Sequence, residues 1–115
     1  MEIMEIMEIG RKVKIDFAKI KTLDDFYTEL SGLFGFPDFF GRNINALIDC
    51  FFSLRYPQDE MTKIHVAASE YLLMELHHFS LASEEIKETL IFTIENVSLR
   101  CKEKGQEPSI VLLLR

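Results

Sequence analysis

Residues 35–52 read GFPDFFGRNINALIDCFF. Gly35 suits the left-handed end of a helix, and Pro37 shortly beyond it forbids continuation. Asp38, Phe39, Phe40 and Gly41 make a turn-rich loop. Asn43 caps a second helix, because its side chain accepts from the first free amides of the new segment. At about 100° per residue, Leu47, Cys50, Phe51 and Leu54 fall within one arc and form a core stripe. Asn45 and Asp49 share the opposite arc, with Phe52 a further turn along, Ile48 bordering them and Arg42 just before the helix. The stretch is therefore a helix stop, a loop and an amphipathic helix that fades before Pro57.

Upstream, Leu23, Phe26, Tyr27, Leu30, Leu33 and Phe34 recur at helical spacing behind Thr22, and Asp25 stands where a capping box needs it. Before that helix, RKVKIDF alternates Val13, Ile15 and Phe17 with Lys12, Lys14 and Asp16, the period of a strand with one buried face. The opening MEIMEIMEI fits neither period along its whole length. It reads as a leader through residue 10, flexible or extending the first strand, and carries no functional argument.

Downstream, TKIHVAA predicts a short strand after Met61, with Ile64 and Val66 on one face, and YLLMELHHF predicts a short helix. Ser83 caps a longer helix whose stripe is Ile86, Leu90, Ile94, Val97 and Cys101. Glu84 and Glu85 favour its positive end, Lys102 and Lys104 its negative end, and Gly105 closes it. After Pro108, SIVLLL is a near-continuous apolar run, the pattern of a strand covered on both faces. Strands alternating with helices give an α/β fold: a small three-stranded parallel sheet packed with about four helices.

With 115 residues the chain predicts one domain, 1–115. A hydrophobic content of 48% and ten phenylalanines exclude a disordered chain, since apolar burial offsets the entropy of ordering. No run reaches the roughly 18 apolar residues of a membrane span, and glutamates stand where a signal peptide is basic. The expectation is a cytoplasmic protein without membrane contact. Cys50 and Cys101 lack the paired spacing of a zinc site and read as buried, reduced thiols, with a disulfide left open. A formal charge of −6 disfavours nucleic acid as a direct ligand and favours a basic protein partner.

The residue types give catalysis little support. His77 and His78 are adjacent, so they diverge on a helix and cannot act as two ligands on one face. His65 lies between apolar residues and reads as structural. There is no phosphate-cradling glycine loop, nucleophile elbow or paired-cysteine motif. Asp49 has no sequence-adjacent histidine, second acid or nucleophile to make an acid–base pair. No cofactor or metal is expected. Asp49 reads either as a solvated helix-surface carboxylate or as one side of an interface, and Phe52 either as burial under the Arg55–Pro57 loop or as rim. Two successive aromatics, Phe39 and Phe40, point in different directions on an extended backbone, so one faces water. An exposed ring beside a carboxylate has the anatomy of an interface hot spot.

The stretch GFPDFFGRNINALIDCFF resembles the barstar family of intracellular inhibitors of barnase-like ribonucleases. The pattern is a Pro-acid-aromatic-aromatic-Gly loop, then Asn, Ala-Leu and Asp-Cys. More weakly, the first strand, the capped first helix, Tyr56-Pro57, the long helix and SIVLLL come in the family's order. The resemblance implies a non-enzymatic inhibitor that plugs a ribonuclease active site with the second helix and the loop before it. In such proteins the carboxylate before Cys, here Asp49, mimics substrate phosphate. Four departures stand beside the match: Asn45 where family members have an acid, Phe39 where Tyr is typical, Arg42 where an acid is usual, and Arg100 near the position of an acid on the last long helix.

The expected function is thus a ribonuclease inhibitor or immunity protein against a basic secreted or toxin ribonuclease. Its contact residues are Asp38, Phe39, Arg42, Asn43, Asn45, Ile48, Asp49 and Phe52. The alternative is a barstar-fold adaptor with a non-nuclease partner, motivated by the missing acids.

Overall fold

The computed structural model describes residues 7–115. In chain order they form β1 (Glu8–Asp16), α1 (Leu23–Phe34), α2 (Ile44–Phe52), β2 (Glu70–His77), α3 (Glu84–Glu103) and β3 (Ile110–Leu114), joined in part by short 3-10 turns. The sheet order is β1-β2-β3, with both pairs parallel. This is the α/β class with a three-stranded parallel sheet. Residues 1–6, most of the repetitive opening, lie outside the described residues; Glu8 and Ile9 extend β1 and pair with Glu70 and Tyr71.

Three α-helices form among the described residues where about four were expected. Residues 71–77, read as a helix, are the central strand, and TKIHVAA, read as a strand, is irregular. Leu72, Met74 and Leu76 alternate at full burial, which is the strand period. The second face of the strand carries Tyr71 and Leu73 beside Glu75 and His77, which blurs the alternation, while Leu, Met and Glu are good helix formers locally. Pairing with a strand on each side overrides that propensity. Ile64 and Val66 are still buried, as plugs of an irregular segment tied by Lys63 N–H to Phe34 O at 2.8 Å and Val66 N–H to Leu54 O at 3.0 Å.

Helix ends obey local chemistry. Thr22 and Asp25 complete the capping box of α1, Asn43 caps α2 and Ser83 caps α3. Gly35 ends α1 at φ 68°, a left-handed conformation in which a side chain would be strained.

Register places Val13, Met74 and Leu112 abreast, and Ile15 beside Leu76, on one face of the sheet. Right-handed crossovers between strands in this order put the helices over a single face. There Phe17, Phe26, Phe34 and Phe51 join Leu30, Leu47 and Leu54 in the core. SIVLLL is accordingly not covered on both faces: β3 is an edge strand, with Val111 41% and Leu114 63% exposed. The sheet and core hold α2 by its apolar stripe and leave its opposite arc outward.

Candidate protein-binding face

The two loop phenylalanines divide as their succession requires. Phe40 turns inward, 4.9 Å from Phe36 and edge-on to Tyr27 at 5.9 Å, and its amide donates to Pro37 O. Phe39 is 76% exposed. Asp38 beside it is also exposed.

Arg42 adopts φ 53° and turns back onto α1. Its Nη2 donates to Asp24 Oδ1 at 2.7 Å, Asp24 O at 2.8 Å and Thr28 Oγ1 at 2.8 Å. Asn43 spends its side chain on the turn and the helix, accepting from Ala46 N–H at 2.8 Å and donating to Gly41 O at 3.2 Å. Both residues therefore shape the loop, and Arg42 already has its acid in Asp24.

On α2, Asn45 and Asp49 face outward. Ile48, expected at the border of that arc, is only 4% exposed and belongs to the core, so it supports the face from below and does not rim it. The reason is geometric: Ile48 lies on the side where α2 packs against the rest of the fold, and an apolar group at a boundary is drawn under cover.

Asp49 is half exposed and accepts a hydrogen bond from Arg100 Nη1 of α3 at 2.8 Å. The same guanidinium lies 5.8 Å over the Phe52 ring. Phe52 also leans on Tyr56, ring centroids 5.1 Å apart. It is partly buried by Tyr56 and topped by a cation, which combines features of both sequence readings. Sequence reasoning identifies Arg100 as a departure but misses its contact with Asp49; the only signal is that a cation replaces an acid on a helix facing α2.

Behind Asp49, the Cys50 thiol is fully buried and is pushed up to about 11, first by burial and then by the charge of Asp49. It stays protonated and unreactive at neutral pH. Cys101 is likewise a buried free thiol. Among the described residues no group of three His, Cys, Asp or Glu side chains stands together to hold a metal ion, and no helix is long and apolar enough to cross a membrane.

The arrangement is suited to recognition. It presents one large exposed ring, a neutral acceptor at Asn45, and a paired carboxylate backed by a rigid helix whose cap and core stripe fix its orientation. No curated protein matches the chain. Residues 10–113 match the family model described as barstar (barnase inhibitor), whose members are non-enzymatic inhibitors. That span takes in every strand and helix above almost completely, and the chain belongs to the barstar family.

Proposed function

We propose that this chain is a cytoplasmic ribonuclease inhibitor, of the immunity type, that closes the active site of a basic secreted or toxin ribonuclease with α2 and the loop before it. Family membership supports ribonuclease inhibition in general terms. The observation that carries the finer reading is the solvent-facing Asp49 carboxylate at the position before Cys50 on a capped helix.

The mechanism is occlusion. Asp49 stands in for substrate phosphate and accepts from the cationic groups that a ribonuclease uses to bind it. Asn45 offers a neutral acceptor one turn earlier. Phe39 and Phe52 exclude water and thereby strengthen those charged hydrogen bonds. Asp38 adds to the negative field, and the net charge of −6 steers a basic enzyme toward the face. Arg42 and Asn43 hold the loop in place, and Ile48 supports the helix.

The test is affinity capture from the native cells, coupled to an assay of whether the captured protein has ribonuclease activity that this chain suppresses. Suppression is the expected result. Capture of non-nucleases alone overturns the reading in favour of an adaptor, an alternative favoured by one observation: α2 carries a single acid, and that acid is paired within the chain.

A further inference from the structure

Beside Asp49 lies a cavity of about 420 Å³, lined by Asp49, Phe52, Ser53, Asp59, Met61 and Arg100. Asp59 belongs to the 3-10 turn Pro57–Asp59, which comes after α2 with one intervening turn. The same turn also borders a second cavity of about 500 Å³, to which Pro57 and the adjoining Glu60 contribute together with Asp38 of the loop. His65 lines that second cavity too, and its Nδ1 is buried without a hydrogen-bond partner. The segment after α2 is thus bordered by hollows shared with the loop and the helix of the proposed inhibitory face.

The first hollow has a charge imbalance. Two carboxylates, Asp49 and Asp59, face one guanidinium, and Arg100 is engaged with Asp49 Oδ1. Among the described residues Asp59 makes no ion pair; Ser53 Oγ lies 3.5 Å from its Oδ2, at the limit of a hydrogen bond, and that hydroxyl donates to Asp49 O at 3.0 Å. Phe52 and Met61 supply an apolar wall. A cavity with one uncompensated negative charge and an apolar wall fits a side chain that is apolar along its stem and cationic at its tip.

We infer that the Pro57–Met61 segment is a second contact element of the inhibitory face, and that the cavity between Asp49 and Asp59 receives an arginine or lysine side chain of the partner. This rests on the inhibitor reading above. Asp49 is the one acid of α2, and Asp59 adds a second carboxylate to the face from a different element. An entering cation finds Asp59 unpaired and shares Asp49 with Arg100, so it need not displace an intact ion pair.

The test is an NMR titration of the isotope-labelled full chain with N-acetyl-arginine methylamide as probe, and N-acetyl-norleucine methylamide as the uncharged control. The arginine probe alone is expected to shift the amides of Phe52, Ser53, Asp59 and Met61 saturably. Asp59→Asn, with its melting temperature checked, is expected to weaken that binding about fivefold, and affinity for the captured ribonuclease by a similar factor. Shifts unchanged in Asp59→Asn, or spread equally over distant acids such as Glu29, overturn the inference. A chain that binds the probe in this cavity yet suppresses no ribonuclease refutes the inhibitor reading and upholds the cavity. Suppression that Asp59→Asn leaves intact, with probe binding also intact, refutes the cavity alone.

Discussion

Arg100 of α3 and Asp49 of α2 are joined by a 2.8 Å ion pair, so the one carboxylate of α2 meets solvent already matched to a cation of its own chain. The side chains are 45% and 54% exposed, and such pairs contribute at most about 1 kcal/mol to stability. A weak pair is exchangeable. On the proposed function, a basic partner is expected to share or take over Asp49 at little cost, with Arg100 as a filter against enzymes that have nothing negative to offer it.

Arg100→Ala is expected to lower stability by no more than about 1 kcal/mol. It is also expected to raise the association rate with a basic ribonuclease and steepen its salt dependence, because one like charge leaves the face. Stopped-flow association at two ionic strengths checks this. An unchanged rate contradicts the filter.

The neighbouring loop aromatics are expected to separate binding from stability. Phe39→Ala should leave the melting temperature unchanged, since the ring is largely in water, and weaken ribonuclease binding. Phe40→Ala should cost about 2 kcal/mol of stability, because its ring packs on Phe36 and Tyr27. Melting and inhibition assays on the two variants make the comparison; equal melting temperatures contradict it.

Arg55 is expected to matter for folding. Its guanidinium donates to Glu107 O at 2.7 Å, Glu70 O at 2.8 Å and Ala67 O at 3.3 Å, tying the segments that lead into β2 and β3. Arg55→Ala should destabilise by about 2 to 3 kcal/mol, as charged donors lost to carbonyls do. Lysine lacks the planar fork and should recover only part of that. Urea unfolding of the two variants is the measurement.

One source of acid sensitivity lies at the C-terminal end of β1. The Asp16 carboxyl is held below its ordinary value of 3.8, first by its hydrogen bond with the His78 side chain and next by the Ala18 amide. A carboxyl lowered in the folded state contributes stability that is present above its unfolded value and lost as pH falls through the folded one. Asp16→Asn should therefore lose less stability than the wild type on acidification from about pH 5 to about pH 2. Parallel acid-limb slopes contradict this.

The legible part of the sequence is its local chemistry. The Thr22–Asp25 box, Gly35, Asn43 and Ser83 mark helix ends through contacts within a few residues, and the Val13–Ile15 alternation marks β1 because only one of its faces is buried. The central strand reads wrongly as a helix because Tyr71 and Leu73 on its second face interrupt the apolar alternation of Leu72, Met74 and Leu76 that identifies a strand. Within the candidate face, the outward placement of Asp49 and Phe39 is legible from helical phase and loop crowding. The Arg100 contact cannot, since it spans 51 positions and exists only once α2 and α3 pack. Ile48 fails for a related reason: a residue at the edge of an arc is assigned to core or surface by its neighbouring element, not by its own spacing.

The central claim is that Asp49 is the anionic anchor of a ribonuclease-occluding face, and the most direct test is the inhibition constant of Asp49→Ala against the captured ribonuclease, measured beside its melting curve. The account predicts a loss of at least about 2 kcal/mol in binding, the hot-spot threshold, for which barnase and barstar are themselves a reference pair, with stability within about 1 kcal/mol of wild type. Wild-type inhibition by a folded Asp49→Ala chain would contradict it.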